Sequence, residues 1–225
     1  MATRLSIVVP VLDEARCIDA ALAALGPLRR RGHEVIVVDG GSRDDTVARA
    51  ADKADVLITT SRGRARQMNA GAAQATGDVL VFLHADTLLP IDADSAVLAA
   101  VAAGASWGRF DVSIAGAPWM LRVVAALMNL RSRWSGIATG DQPLFVQRQL
   151  FERLGGFPEQ PLMEDIELSR RLRTAAVPAC LRERVVTSGR RWETRGVWRT
   201  IFLMWRLRWR YWRGESPETL AQAYR

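Results

Sequence analysis

Apolar segments of strand length alternate with helical segments over the first 85 residues, and this alternation is what most constrains the fold. Residues 5–11, 34–39, 55–59 and 78–83 are rich in Val, Ile and Leu, which is typical of buried strands. Residues 15–31, between the first two, carry apolar side chains at helical spacing. Because strands that alternate with helices form parallel sheets, the pattern predicts an α/β fold with a mostly parallel central sheet and helices on both faces.

The pattern loosens after residue 90, although further elements can be predicted. We expect helices at 94–103, 118–130, 164–175 and 195–213, and strands at 107–114 and 143–147. A chain of 225 residues is long enough to form one large domain with its own core. We therefore expect one domain over residues 1–190, with halves at 1–90 and 91–190, and a basic, aromatic helical appendage at 191–225.

Composition excludes several classes of protein. Cys17 and Cys180 are too few and too far apart for a disulfide framework or a zinc site. The chain opens on a strand without a signal peptide and has no run of about 18 uncharged apolar residues, so we expect a cytoplasmic protein without a spanning helix. The net charge of +7 comes from residues 182–213, which hold ten arginines and two glutamates. The basic character therefore belongs to the C-terminal segment and not to the main domain.

The strand at 78–83 ends abruptly in His84 and Asp86, which places a carboxylate where the strand leaves the core. In open α/β sheets, ligands bind at the carboxyl ends of strands. Asp86 is therefore well placed to hold Mg²⁺ or Mn²⁺, whose other ligands would be water and phosphate oxygens. Such a cation stabilises the charge that develops on a departing diphosphate. His84 is either a second metal ligand or a polar residue that ends the strand.

Two further groups of polar residues lie near the predicted ends of strands and the starts of helices. Asp39 is followed by two glycines, which leave room for a flat ligand near the backbone. Its carboxylate either binds a base or a ribose, or it caps the turn. Arg62, Arg64 and Arg66 occupy alternate positions near a helix start, where they either attract a diphosphate or are solvated.

Glu164 and Asp165 begin the helix predicted at 164–175, after a loop that contains glycine and proline. Acids at this position either complement the helix dipole or reach a cleft, where one of them takes a proton from an acceptor hydroxyl. Asp165 is our candidate for this base, with Glu164 and Glu167 as the fallback choices. Asp141 and Gln142 either bind hydroxyl groups of a sugar or acceptor, or form a turn.

Taken together, these motifs resemble family 2 glycosyltransferases of the GT-A fold. The matching residues, in the family's order, are Val9, Pro10, Glu14, Asp39, Gly40, Gly41, Ser42, Asp45, Thr46, Arg66, Asn69, Gly71, Ala75, Gly77, Phe82, Leu83, His84, Ala85, Asp86, Gly155, Gly156, Phe157, Glu164 and Asp165. The resemblance implies that Pro10, Glu14 and Asp39 bind the nucleoside. It also implies that Asp86 binds the metal and that Asp165 is the base of an inverting transfer.

The resemblance adds other expectations. Arg66 and Asn69 join the substrate-binding candidates. Arg190 and Arg191 follow the last expected strand, where a basic segment of similar enzymes closes over the diphosphate. Most of the family has an acid where this chain has His84, so we expect an altered ribose contact and a metal affinity that titrates near neutral pH. A finer pattern is similar to a bacterial subgroup labelled arsenosugar-biosynthesis-associated glycosyltransferases.

Large aromatic side chains recur at helical spacing along the predicted C-terminal helix. They are Trp198, Phe202, Trp205, Trp209 and Trp212. Arginines run beside this stripe, a combination typical of a helix that lies in a bilayer interface. Alternatively, the stripe packs on its own domain or on a second copy of the chain. One basic helix without a nucleic-acid-binding fold motif does not indicate nucleic acid as a partner.

The sequence therefore predicts a metal-dependent, inverting glycosyltransferase. The donor would be a nucleoside diphosphate sugar, with uracil as the expected base, and the hydroxyl acceptor would be either small or lipid-linked. We expect the protein in the cytoplasm, with residues 195–213 as its contact with the inner face of the membrane. The alternatives are a nucleotidyltransferase on a similar fold and a non-catalytic nucleotide-sugar-binding protein.

Overall fold

The computed structural model describes residues 3–224. The strands are β1 Leu5–Val11, β2 Glu34–Asp39, β3 Val56–Thr59, β4 Val79–Phe82, β5 Thr87–Leu88, β6 Trp107–Ala115, β7 Leu144–Gln147 and β8 Ala179–Ser188. The helices are α1 Ile18–Arg30, α2 Thr46–Ala50, α3 Arg64–Gln74, α4 Ala93–Ala102, α5 Met120–Ser135, α6 Arg148–Arg153, α7 Glu164–Ala175, α8 Arg190–Arg195, α9 Val197–Trp212 and α10 Pro217–Tyr224. The predicted alternation of strands and helices is confirmed in the first half of the chain.

All eight strands form one sheet, in the order β3-β2-β1-β4-β7-β6-β8-β5. The first four strands pair in parallel, as predicted. In the second half, β7 runs antiparallel to both β4 and β6, whereas β6 and β8 are parallel. The sheet is thus parallel over β1 to β4 and mixed beyond β4. It continues through both expected halves of residues 1–190.

The core covers both faces of this sheet because neighbouring strand residues point to opposite sides. Ile7 and Val9 of β1 pack in one buried cluster with residues of α1 and α5, whereas Val8 packs in a second cluster with residues of α3 and α7. The close approach of α3 to β1 requires a glycine, since a methyl group at Gly71 would overlap the Val8 side chain. The predicted helices on both faces are confirmed.

Asn129 fastens α5 to the sheet beyond the end of β7. The short strand β7 pairs only with residues 107–109 of β6, so the backbone of Val112 has no strand partner on that side. The Asn129 side chain takes the place of a strand, because its Oδ1 accepts from the Val112 N–H at 2.9 Å and its Nδ2 donates to the Val112 carbonyl at 3.0 Å. This contact holds α5 beside the site described below.

The helix predicted at 195–213 is confirmed as α9, and a short helix that was not predicted, α8, precedes it. The two are separated at Gly196, whose φ of +83° lies in the left-handed region. The helix predicted at 118–130 continues to Ser135. No helix within residues 3–224 is long and apolar enough to cross a membrane.

Candidate active site

The candidate site is a cavity of about 1100 Å³ at the carboxyl end of β4. In open α/β sheets this is the edge at which ligands bind. Polar residues from five segments line one end of it: Arg64, His84, Asp86, Thr139, Gly140, Asp141, Glu164, Asp165, Arg190 and Arg191. The structure therefore places the expected metal ligand and the expected base in a single cavity.

Gly140 shows how closely three of these side chains approach one another. A methyl group added at Gly140 would lie 3.3 Å from Arg64 Nη1, 3.6 Å from His84 Nε2 and 3.7 Å from Asp165 Oδ2. These atoms come from α3, from the turn after β4 and from α7. A glycine at this position leaves a space that a side chain would otherwise fill, between a cation, an imidazole and a carboxylate.

Asp165 has the surroundings expected of a general base. It is half-buried at the start of α7, and its Oδ1 accepts from the Ile166 N–H at 2.8 Å. Burial, followed by the negative charge of Glu164, raises the pKa of Asp165 to about 6, although Arg64 acts in the opposite direction. A carboxylate with a pKa near the working pH accepts a proton more readily than an ordinary one.

The three acids at the start of α7 have different environments. Glu164 is buried and its Oε1 lies 3.4 Å from Arg64 Nη1. Glu167 pairs instead with Arg170 and Arg171 on the same helix, at 3.2 and 3.3 Å, and does not line the cavity. Of the three candidates for the base, Glu167 is therefore placed away from the site.

Asp86, the expected metal ligand, lines the cavity together with Asp141 and His84. Burial, followed by the charge of Asp86, raises the pKa of Asp141, although that carboxyl is reached by solvent from the cavity. Two neighbouring carboxylates that repel each other favour a bound cation. Within residues 3–224, no three His, Cys, Asp or Glu side chains are grouped closely enough to hold a metal alone. The donor set fits a Mg²⁺ or Mn²⁺ ion whose other ligands come from phosphate and water.

The expectation that His84 makes metal binding titrate near neutral pH is wrong in this structure. Burial, followed by the positive charge of Arg64, lowers the pKa of His84 to about 3. The imidazole is therefore neutral throughout the physiological range. It keeps a lone pair for a ligand, but it does not act as a switch there.

Arg190 and Arg191 both line the cavity, and their contact with a diphosphate stays a prediction. Arg190 Nη2 lies 4.0 Å from Glu14 Oε2, so Glu14 is connected to this edge of the site. The Arg191 guanidinium lies 4.5 Å from the centre of the Tyr224 ring. Burial lowers the pKa of Arg191, and Asp141 opposes this effect.

The three expected nucleoside-binding residues, Pro10, Glu14 and Asp39, all lie outside the residues that line the cavity. Asp39 is 2% exposed, and its carboxylate accepts from the N–H groups of Gly41 and Ser42 at 2.9 and 3.1 Å. The structure thus shows the turn-capping role that the sequence left open. Pro10 is half-buried in β1, opposite Val38 of β2. Their contact with a nucleoside stays a prediction.

Three other predicted substrate-binding residues have protein partners. Asn69 accepts from and donates to the backbone of Phe157, at 2.9 and 2.8 Å, and so holds the glycine-rich loop. Gln142 is buried and donates to Asn129 Oδ1 at 3.3 Å. Arg66 is exposed, lies 3.1 Å from Glu159 and does not line the cavity. A substrate contact for these three residues stays a prediction.

Arg131 also lines the cavity, although it lies one residue beyond the predicted end of its helix and the sequence does not indicate it as a site residue. Of the three arginines expected near a helix start, Arg64 is the one that lines the cavity. Arg131 Nη2 donates to Thr139 Oγ1 at 3.2 Å, and burial lowers the pKa of this guanidinium. The continued helical periodicity from 120 to 135 is the signal that could have included Arg131.

Comparison with known proteins identifies the family. The model of "Glycosyl transferase family 2" matches residues 6–150. The chain belongs to this family. It is 28% identical over 238 residues to the probable glycosyltransferase YdaM of Bacillus subtilis, an alignment that covers 95% of this chain and 55% of the relative. It is 37% identical over 97 residues to the undecaprenyl-phosphate 4-deoxy-4-formamido-L-arabinose transferase of Pseudomonas syringae, covering 38% of this chain and 28% of the relative. The chain thus spans about half or less of the length of these two relatives.

Solved structures agree on the fold. The mannosyltransferase of Pyrobaculum calidifontis, in complex with GDP-Man and Mn²⁺, matches with a TM-score of 0.66 and 24% identity, over 100% of this chain and 69% of that one. The glucosyl-3-phosphoglycerate synthase of Mycobacterium tuberculosis, in complex with Mn²⁺ and UDP-glucose, matches with a TM-score of 0.60 and 19% identity, over 82% and 70%. The predicted GT-A fold is therefore confirmed, whereas the finer resemblance to the arsenosugar-associated subgroup stays a prediction.

Proposed function

We propose that this protein transfers a sugar from a nucleoside diphosphate sugar to an acceptor hydroxyl, with inversion at the anomeric carbon. The observation that carries the proposal is the position of Asp165, a carboxylate of raised pKa that lines the same cavity as Asp86. Membership of family 2 supports sugar transfer over nucleotidyl transfer and over a purely binding role. An inverting displacement requires a base for the acceptor proton and a positive charge for the departing diphosphate, and a cation held by Asp86 would supply the latter.

The reaction can be followed atom by atom. The acceptor oxygen forms a bond to the anomeric carbon while the bond from that carbon to the β-phosphate oxygen breaks. The electron pair of the broken bond leaves with the nucleoside diphosphate, and the acceptor proton passes to Asp165. Arg64, Arg190 and Arg191 line the cavity and offer guanidinium groups to the departing diphosphate.

Asp86 is the proposed ligand of a divalent cation, with His84 and Asp141 beside it. A bound Mg²⁺ or Mn²⁺ would supply charge stabilisation for the diphosphate. This assignment is supported by the two adjacent carboxylates and the neutral imidazole, which can coordinate through its lone pair. Similar structures contain GDP-Man or UDP-glucose with Mn²⁺, and we carry forward a uridine diphosphate sugar as the proposed donor.

We also propose that α9 contacts the inner face of a membrane from the cytoplasm. The aromatic stripe predicted at 195–213 is exposed along one side of α9, at 61% for Trp198, 64% for Trp205 and 58% for Trp209. Exposed aromatics beside arginines suit an interface of lipid headgroups and chains. A second copy of the chain is the competing partner for this stripe.

The test of the catalytic proposal is Asp165→Asn, with Glu167→Gln as the matched control on the same helix. Loss of the base should lower transfer by about 10²–10⁴-fold. Binding of UDP-glucose or GDP-mannose with Mn²⁺, measured by thermal shift, should remain. The control should keep both properties because Glu167 lies away from the cavity. Transfer that survives Asp165→Asn would remove Asp165 from the mechanism. Release of pyrophosphate from a nucleoside triphosphate and a sugar 1-phosphate would indicate nucleotidyl transfer instead.

A further inference from the structure

Away from its acidic end, the cavity becomes an apolar groove between α5 and α9. The residues that line this part are large and mostly uncharged: Met120, Val123, Val124, Leu127, Met128, Leu130 and Trp134 from α5, and Trp198, Ile201, Met204, Trp205 and Leu207 from α9. The volume of about 1100 Å³ exceeds the roughly 300–1000 Å³ of a pocket for one drug-sized ligand. A sugar nucleotide uses polar partners, so the apolar part of the space suits a different occupant.

Both walls of the groove expose apolar side chains to solvent. Leu127 is 57% exposed and Trp134 is 90% exposed on α5, and Trp205 is 64% exposed on α9. Large apolar side chains that are exposed in one contiguous area mark a binding surface more often than chance. Two helices thus present such residues to one groove, and that groove is continuous with the space around Asp165.

Guanidinium groups line the same cavity as the apolar groove, and the charge of Arg131 interacts with those of Asp165 and Asp141 at the acidic end. Arg131 of α5 and Arg208 of α9 both line the cavity, together with Arg191. The Nε of Arg131 is buried without a hydrogen-bond partner in the described part of the chain. A buried cationic group with an unsatisfied donor favours an anionic ligand. Charge complementarity therefore indicates that the occupant of the groove carries an anionic group as well as an apolar part.

We propose that the acceptor is an anionic amphiphile. Its apolar chain would lie between α5 and α9, its anionic group would lie near Arg131, and its nucleophilic oxygen would face Asp165. This inference rests on the proposed function, since it names the acceptor class of the same site. It adds α5 to the lipid contact proposed for α9. The membrane contact would then allow the acceptor to enter the groove from the bilayer.

The probe is dodecyl phosphate below its micellar concentration, and the readout is intrinsic tryptophan fluorescence, because Trp134, Trp198 and Trp205 line the groove. Butyl phosphate supplies the anion without the chain, and dodecyl maltoside supplies the chain without the anion. We expect dodecyl phosphate to bind at concentrations at least tenfold lower than either control. Equal binding of dodecyl phosphate and butyl phosphate would refute the proposal that the groove binds an apolar chain. Equal binding of dodecyl phosphate and dodecyl maltoside would refute the proposal that the ligand carries an anionic group.

Three variants locate the binding. Leu127→Glu places a charge on an exposed wall residue and should weaken binding of dodecyl phosphate at least tenfold. Val177→Glu is the matched control, because Val177 is 86% exposed and does not line the cavity. Arg131→Gln should abolish the preference for dodecyl phosphate over dodecyl maltoside. If Leu127→Glu binds dodecyl phosphate as well as the wild type does, the amphiphile binds at another site and the proposal is refuted. If the wild type is a dimer without amphiphile and Leu127→Glu dissociates it, the groove binds a second copy of the chain and the proposal is likewise refuted.

Failure of this proposal differs from failure of the proposed function. A protein that binds UDP-glucose or GDP-mannose with Mn²⁺ but shows no chain-length preference retains the proposed function and loses the amphiphilic acceptor. A protein that binds dodecyl phosphate but neither sugar nucleotide loses the proposed function. Thermal shift with each sugar nucleotide and fluorescence titration with each amphiphile separate the two cases.

Discussion

Replacement of Asp165 by asparagine should stabilise the folded protein at neutral pH. The folded state raises the pKa of this carboxyl from 3.8 to about 6, so ionisation of Asp165 is unfavourable in the native site. A shift of this size corresponds to at most roughly 3 kcal/mol, and solvent around the half-buried side chain reduces the expected gain to about 1–2 kcal/mol. Asparagine removes the charge and keeps an oxygen for the Ile166 N–H.

The pH dependence gives this prediction its sign. Because the folded pKa is raised, native Asp165 holds its proton where the unfolded chain has released it, and stability is lost as pH rises from about 4 to about 6. The variant lacks this loss. The advantage of Asp165→Asn should therefore be absent below pH 4, grow through that window and stay constant above it.

Urea unfolding of both proteins at pH 4 and pH 7.5, followed by circular dichroism, measures the difference. Glu167→Gln controls for removal of an acid from the same helix turn, and it should not stabilise the protein because Glu167 pairs with Arg170 and Arg171. A variant that is equally stable or less stable than the wild type at pH 7.5 would show that the site does not strain Asp165. So would a gain that is the same at both pH values.

Three other outcomes are expected. Asp86→Ala should abolish the Mn²⁺ dependence of donor binding in calorimetric titration, and an unchanged metal titration would exclude Asp86 as the ligand. The transfer rate of the wild type should rise about tenfold per pH unit below pH 6 and level off above it, because Asp165 must be ionised to accept a proton. A transfer rate that is constant between pH 5 and pH 7 would contradict this. Gly71→Ala should lower the free energy of unfolding by about 1–3 kcal/mol, since the added methyl overlaps Val8, and thermal melting that is unchanged would show that α3 can move away from β1.

The first half of the fold could be predicted because its strands and helices each show a recognisable pattern of apolar residues. Parallel strands buried on both sides are continuous apolar runs, and the intervening helices carry apolar faces. β5 has only two residues and α6 only six, which is too short for a period to be recognised. The break at Gly196 was missed for a different reason. Glycine also occurs inside helices, so the residue type alone does not reveal the left-handed backbone of Gly196 that separates α8 from α9.

The position of the candidate site could be predicted, but the side chains that face it could be predicted only in part. Asp86 and Asp165 share a cavity because each lies where an element meets a loop on the same side of the sheet. Arg64 and Arg66 are two residues apart on α3, so a helix directs them about 200° apart and only one of them can face the cavity. The choice depends on how α3 rotates against β1, which is decided by the packing of Gly71 on Val8 and not by the arginines themselves.

The histidine at position 84 is understandable once the neighbouring charges are known. Asp86 and Asp141 already repel each other, and Glu164 and Asp165 bring two further carboxyl groups to the same end of the cavity. A further acid at position 84 would add to this repulsion and raise the pKa values of its neighbours, which would weaken metal binding at neutral pH. A neutral imidazole supplies a lone pair without that charge, and burial together with Arg64 lowers its pKa so that it stays deprotonated. The departure from the family pattern at His84 is therefore consistent with a cation site that uses few carboxylates.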